Sequence, residues 1–187
     1  MRLSIAAALG VLGGLVVPAH AAMMISGNFE GDGVLTPTGT PGVFVQNLTG
    51  EGDDTTLGHF TIKANSMIDF SHPPSLDIPN GMASLMFSDG TLFGTSSGMG
   101  TASGQGTATF EVDLDFTGGT GIFAGATGGV TITGTIVRHS PTTDSVTASY
   151  AGSLSVVPEP ATLTLLGLGA LGLAGYGWRR KPLLRGA

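Results

Sequence analysis

The chain has no cysteine. That excludes disulfides, thiolate metal sites, cysteine nucleophiles and thiol redox chemistry together. Charge is scarce as well: only 11% of the 187 residues are Asp, Glu, Lys or Arg. An acidic disordered chain needs many more charges and fewer apolar groups, so that class is excluded too. Basic residues are nearly confined to the two ends. Between residues 22 and 156 only Lys63 and Arg138 are basic, against twelve acidic side chains, a net charge of −10. Nucleic-acid binding needs a basic face and is not expected. The single Trp lies at position 178, and Tyr150 is the one tyrosine of the middle. Sugar sites stack rings on such side chains, so the composition argues against a dedicated lectin.

What is present sits first at the ends. Met1 and Arg2 precede an uncharged run from Leu3 to Val17, broken by Pro18 and followed by Ala19-His20-Ala21. A basic start, an apolar core and small residues at the third and first positions before a cut form a secretory signal peptide over residues 1–21. Signal peptidase is expected to cut between Ala21 and Ala22. Fifteen apolar residues rise about 22 Å as a helix, short of a bilayer's hydrocarbon core.

Near the other end, Ala161 to Trp178 carries no charge and is followed by Arg179, Arg180 and Lys181. Eighteen helical residues rise about 27 Å, enough to span a slightly thinned bilayer. The three basic residues stop transfer and hold residues 182–187 in the cytoplasm, so the preceding domain lies outside it. The glycines of this run are tolerated in membrane helices, and Tyr176 and Trp178 suit an interfacial belt. Before it stand Val157, Pro158, Glu159 and Pro160, where two prolines hold the backbone extended and accessible to a processing enzyme.

These three parts in this order resemble the bacterial PEP-CTERM sorting signal over residues 157–181. That segment is also labelled an ice-binding-protein C-terminal domain, which describes the tail and not an activity. The resemblance implies recognition by an exosortase-type membrane enzyme of exopolysaccharide-producing Gram-negative bacteria. It further implies transient anchoring in the inner membrane, removal of the signal, and delivery to the cell surface or matrix. Exopolysaccharide is then the candidate matrix partner.

In the middle, residues 22–156, the period is two. Phe110, Val112, Leu114 and Phe116 alternate with Glu111, Asp113 and Asp115, and Val130, Ile132 and Ile136 alternate with Thr131, Thr133 and Thr135. Such runs are strands with one dry and one wet face. Further strands are expected at Met24–Phe29, Val43–Thr49, Leu57–Ala64, Ser66–Phe70, Met82–Ser88, Thr91–Ser96 and Ser145–Val156. Asp89-Gly90 marks a tight hairpin. Short strands at this spacing predict an all-β, small antiparallel barrel of about eight strands, flanked by the signal peptide and the transmembrane helix.

Gly118 to Gly128 (GGTGIFAGATG) reads as a tight glycine turn, one buried aromatic, then small residues that admit a neighbouring backbone. It resembles a strand of the dirigent and allene oxide cyclase barrels and of secreted bacterial proteins with that barrel-like pattern, of which Leu57-Gly58-His59-Phe60-Thr61 and Asp89-Gly90-Thr91-Leu92-Phe93-Gly94 look like further pieces. The resemblance implies the fold; no catalytic residue is carried over.

The candidate chemical sites are few. Glu111, Asp113 and Asp115 share a strand face, and Glu51, Asp53 and Asp54 fall in an expected loop; either set could meet calcium. His59, His72 and His139 have no metal-ligand spacing. Ser97-Gly98 and Ser103-Gly104 lie in a stretch read as loop or edge strand, and no serine-nucleophile or phosphate-loop pattern occurs. Thr131, Thr133 and Thr135 form one short threonine row, too little for an ice-matching array. No catalytic residue, metal or cofactor is assigned. The expectation is a non-enzymatic surface or matrix protein. The alternatives are a small-ligand-binding or cyclase-like barrel, which the interior would reveal, and a calcium-dependent matrix adhesin.

Overall fold

The computed structural model describes residues 21–104, 106–156 and 166–173. Eight strands follow one another: β1 (Ala21–Pro37), β2 (Val43–Asp54), β3 (Gly58–Asp69), β4 (Ser75–Phe87), β5 (Gly90–Gly104), β6 (Thr107–Gly119), β7 (Thr127–Ser140) and β8 (Thr143–Val156). Each is antiparallel to its sequence neighbours, and β1 pairs with β8, so the sheet closes on itself as a barrel. Closure leaves no edge strand within it. The expected all-β barrel of eight strands is the observed architecture.

Period-two patterning explains the wall. Val112, Leu114 and Phe116 of β6 point inward while Glu111, Asp113 and Asp115 face solvent. Val130, Ile132 and Ile136 do the same on β7, with Thr131 and Thr133 outside. The inward rows of all eight strands form one core that includes Ile25, Phe29, Phe60, Leu76, Leu92, Leu114 and Leu154.

Several boundaries differ from the sequence reading. Leu57–Ala64 and Ser66–Phe70 are one strand, because the alternation runs on through Asn65, whose side chain faces out and donates to Asn47. Ser97-Gly98 and Ser103-Gly104 belong to β5 and not to a loop: Gly98 pairs with Ile78 of β4 and Val112 of β6, and Gly104 pairs with Thr107 of β6. Gly98 and Gly100 fit there because a Cβ at either would run into the backbone of β6. Glu51, Asp53 and Asp54 are likewise in β2 and not in a loop. β4 begins at Ser75, well before the expected Met82, and bends at Pro79-Asn80, where its register shifts against both β3 and β5.

The Gly118–Gly128 motif closes one end. After β6 the chain makes a single 3-10 turn, Gly121–Phe123, and drops Phe123 into the core, where it is 1% exposed. Gly121 sits at φ +61 and Gly128 at φ +125, conformations that favour glycine. A Cβ at Gly119 would meet the backbone and side chain of Phe123. The expected glycine turn and buried aromatic are therefore present.

Residues 166–173 are helical, and Leu166, Leu168, Leu171 and Leu173 are exposed. Among the described residues no helix is long and apolar enough to cross a membrane. The remainder of the expected span 161–178 lies outside the described residues, as do Ala19, Val157, Pro158, Glu159, Pro160, Arg179, Arg180 and Lys181.

Candidate functional site

Three parts of the molecule could carry function: the rim where the chain joins its ends, the polar groups inside the barrel, and the acidic exterior.

Ala21 pairs with Val156 and Ala22 with Ser155. The first strand and the last thus reach the same rim side by side. The expected signal-cleavage position is in β1, and the expected sorting segment begins one residue after β8 ends. No linker separates the barrel from residue 157.

Inside the barrel, two side-chain bridges link β8 to β2 across β1. The phenol of Tyr150 donates to Oδ2 of Asp54 at 2.8 Å. Oδ1 of the same carboxylate accepts the backbone N–H groups of Thr56 and Leu57, each at 2.8 Å. Burial, and then the hydrogen bond to Asp54, push the Tyr150 phenol far above its usual range. At the other end Nε2 of Gln46 donates to both oxygens of Asp144, at 3.0 and 2.8 Å. Asp144 is 2% exposed. Burial raises its pKa above the usual carboxylate value, and the Gln46 amide opposes that shift.

Both bridges pass over glycine. Gly27 lies between Tyr150 and Asp54 in the cross-strand register. A Cβ there would meet the Tyr150 hydroxyl, and one at Gly33 would meet Asp144 and Gln46. Sequence reasoning missed both bridges, although period two shows them. Asp144 is in phase with Val146, Ala148 and Tyr150, and Asp54 is in phase with Gln46 and Leu48, all buried.

Arg138 lies near Asp144 and its charge opposes the upward shift, but its guanidinium makes its contacts elsewhere. Its guanidinium lies 4.6 Å from the Phe44 ring centroid and 5.8 Å from that of Phe70. It donates to the carbonyls of Ser140 and Pro141.

The expected calcium sets do not converge. Alternation sends Glu51 and Asp53 outward and Asp54 inward, so these three cannot share an ion. Glu111, Asp113 and Asp115 do share the outer face, and Asp113 accepts a hydrogen bond from Thr131 at 2.8 Å. Among the described residues no group of three or more histidine or acidic side chains could hold a metal. The histidines are scattered: His59 contacts Asp53, His72 contacts Ser71, and His139 contacts Ser145. Glu30 and Glu51 face each other directly across β1 and β2, an unfavourable like-charge pair on the outer wall.

No curated protein matches the chain, and no solved structure does. One family model matches, and it matches the end of the chain: residues 156–181 fit the PEP-CTERM protein-sorting motif.

Proposed function

We propose that the chain is a non-enzymatic protein of the cell surface or extracellular matrix, exported by a signal peptide and sorted by its C-terminal segment. The observation that carries this is the match over residues 156–181. That segment holds Pro158-Glu159-Pro160, the uncharged run and Arg179-Arg180-Lys181 in order. An exosortase-type enzyme of the inner membrane is its processing partner, and signal peptidase acts at the other end. Arg179, Arg180 and Lys181 stop transfer, the apolar run anchors, and Val157 to Pro160 present the backbone for cleavage. The fold supports this division of labour, since β8 ends at Val156, where the motif begins. Its acidic exterior keeps the delivered domain dispersed. The assignment as non-enzymatic draws on the interior. The buried carboxylates Asp54 and Asp144 are each held by hydrogen bonds within the barrel wall.

The test is the intact mass of the protein recovered from the cells that make it. A mass running from Ala22 to the region of Pro158 is expected. A mass extending to Ala187 would overturn the sorting reading and leave a membrane-anchored domain. Added mass on the shortened end would identify what the enzyme joins to it.

A further inference from the structure

The interior is not filled throughout. A cavity of about 60 Å³ lies in mid-barrel, lined from all eight strands. A water needs roughly 10–15 Å³ by such a measure, so the space admits several waters or one small organic molecule.

Its lining is two-sided. Gln46, Ser66, Gly81 and Ser96 are consecutive partners across β2, β3, β4 and β5, and all face inward. They form a polar belt around one side. The opposite side is apolar, with Val112, Ile132 and Ile136. Gly81 keeps the belt open: a Cβ there would stand 2.6 Å from Ser96 Oγ and 2.8 Å from Ser66 Oγ. Both hydroxyls therefore converge on one notch.

The belt has hydrogen-bonding capacity to spare. Gln46, 6% exposed, uses its amide N–H groups on Asp144. Asp144 accepts from it there, so the Gln46 carbonyl oxygen is left to face the cavity. Among the described residues neither that oxygen nor the hydroxyls of Ser66 and Ser96 have a protein partner. Yet among the described residues no sealed polar side-chain atom lacks one. These three groups therefore open onto free space, where a guest can meet them.

We propose that the barrel interior is a binding site for a small, uncharged, hydroxyl-bearing organic molecule. Its polar edge sits on Gln46, Ser66 and Ser96, and its body lies against Val112, Ile132 and Ile136. The chemistry selects this class. The Gln46 oxygen only accepts, so the guest must bring a donor hydrogen, which an uncharged hydroxyl supplies, while the serines both donate and accept. An anion would face the neighbouring Asp144 carboxylate, and a cation would lose its hydration against the apolar wall. Access runs through β4. Its pairing is broken on both sides at Pro79-Asn80. Ser96 lines both the cavity and an outer hollow formed by Pro79, Asn80, Gly81 and Met82. This inference is independent of how the chain is sorted.

The experiment titrates cyclohexanol, and separately cyclohexanone, into isotopically labelled protein recovered from producing cells. The methyl signals of Val112, Ile132 and Ile136 are followed. Saturable shifts are expected for cyclohexanol, with weaker binding of the ketone, which has no O–H for Gln46. The double variant Ser66→Ala, Ser96→Ala removes both hydroxyls without filling the cavity, and should weaken cyclohexanol about tenfold. Gly81→Ala, which fills the notch with a methyl group, should weaken it as well. Three results would overturn the proposal: no saturable shift with ordered water only in the cavity, equal affinity for alcohol and ketone, or unchanged alcohol affinity in both variants.

Discussion

The hydroxyl of Tyr150 on β8 donates to Oδ2 of Asp54 on β2 at 2.8 Å, across the backbone of Gly27 on the strand between them. The bond is buried, and its carboxylate also holds the β2–β3 turn through the N–H groups of Thr56 and Leu57. One aromatic thus ties three strands and a turn at the rim where the chain leaves the barrel.

Tyr150→Phe keeps the ring against Phe60 and removes only the donor. The buried Asp54 oxygen then has no partner, which costs about 1–3 kcal/mol of stability. Chemical denaturation of the variant against the parent measures it. An unchanged midpoint would mean that water satisfies Asp54 and that the bridge contributes nothing.

Phe123→Ala empties the plug at the same rim, where Phe123 packs on Phe87 with ring centroids 5.3 Å apart. A loss of about 3–5 kcal/mol is expected for a buried phenylalanine. Because Phe123 stands on a single 3-10 turn, exchange of the amides of residues 121–126 should accelerate first. Uniform acceleration throughout the barrel would show that the turn has no stability of its own.

Asp144 sets a pH dependence of unusual sign. Its carboxyl is raised above the ordinary value by burial, so the folded chain binds a proton more readily there than the unfolded chain does. The stabilisation from this group is fully present below the unfolded value and is lost as pH rises through the folded one. Each unit of displacement corresponds to about 1.4 kcal/mol. Asp144→Asn retains an oxygen for Gln46 and cannot ionise. Its melting temperature should overtake the parent's as pH rises from acid to neutral. Parallel pH profiles of the two proteins would count against the assignment.

Replacing Pro158, Glu159 and Pro160 together by alanine removes the tripeptide of the sorting motif and leaves the barrel sequence intact. Unprocessed protein should then accumulate in the membrane fraction, read by its slower migration. Normal processing of that variant would contradict the sorting role of these residues.

Much of this molecule is legible in its residues, for a physical reason. A barrel wall imposes one rule, inside and outside in alternation, and β6 and β7 obey it plainly. The glycine turn with Phe123 is equally readable, because only glycine fits the required backbone. Legibility fails where glycine and small polar residues replace apolar ones on the inner face. Gly98 and Gly100 look like loop until the close approach of β6 is seen. Ser66, Gly81 and Ser96 look unremarkable until pairing sets them in one row. The belt and both bridges depend on which strands meet, and period alone does not specify that.

Closure by β1 and β8 also has a temporal side. Every other pairing joins strands consecutive in the chain, which form early because little chain entropy must be lost. The seam joins the two extremes, and the bridges that cross it span 96 and 98 residues. Tyr150–Asp54 and Asp144–Gln46 are accordingly latches on the last step of assembly. They can engage only after the whole domain has emerged, and weakening either should hasten opening far more than it slows folding.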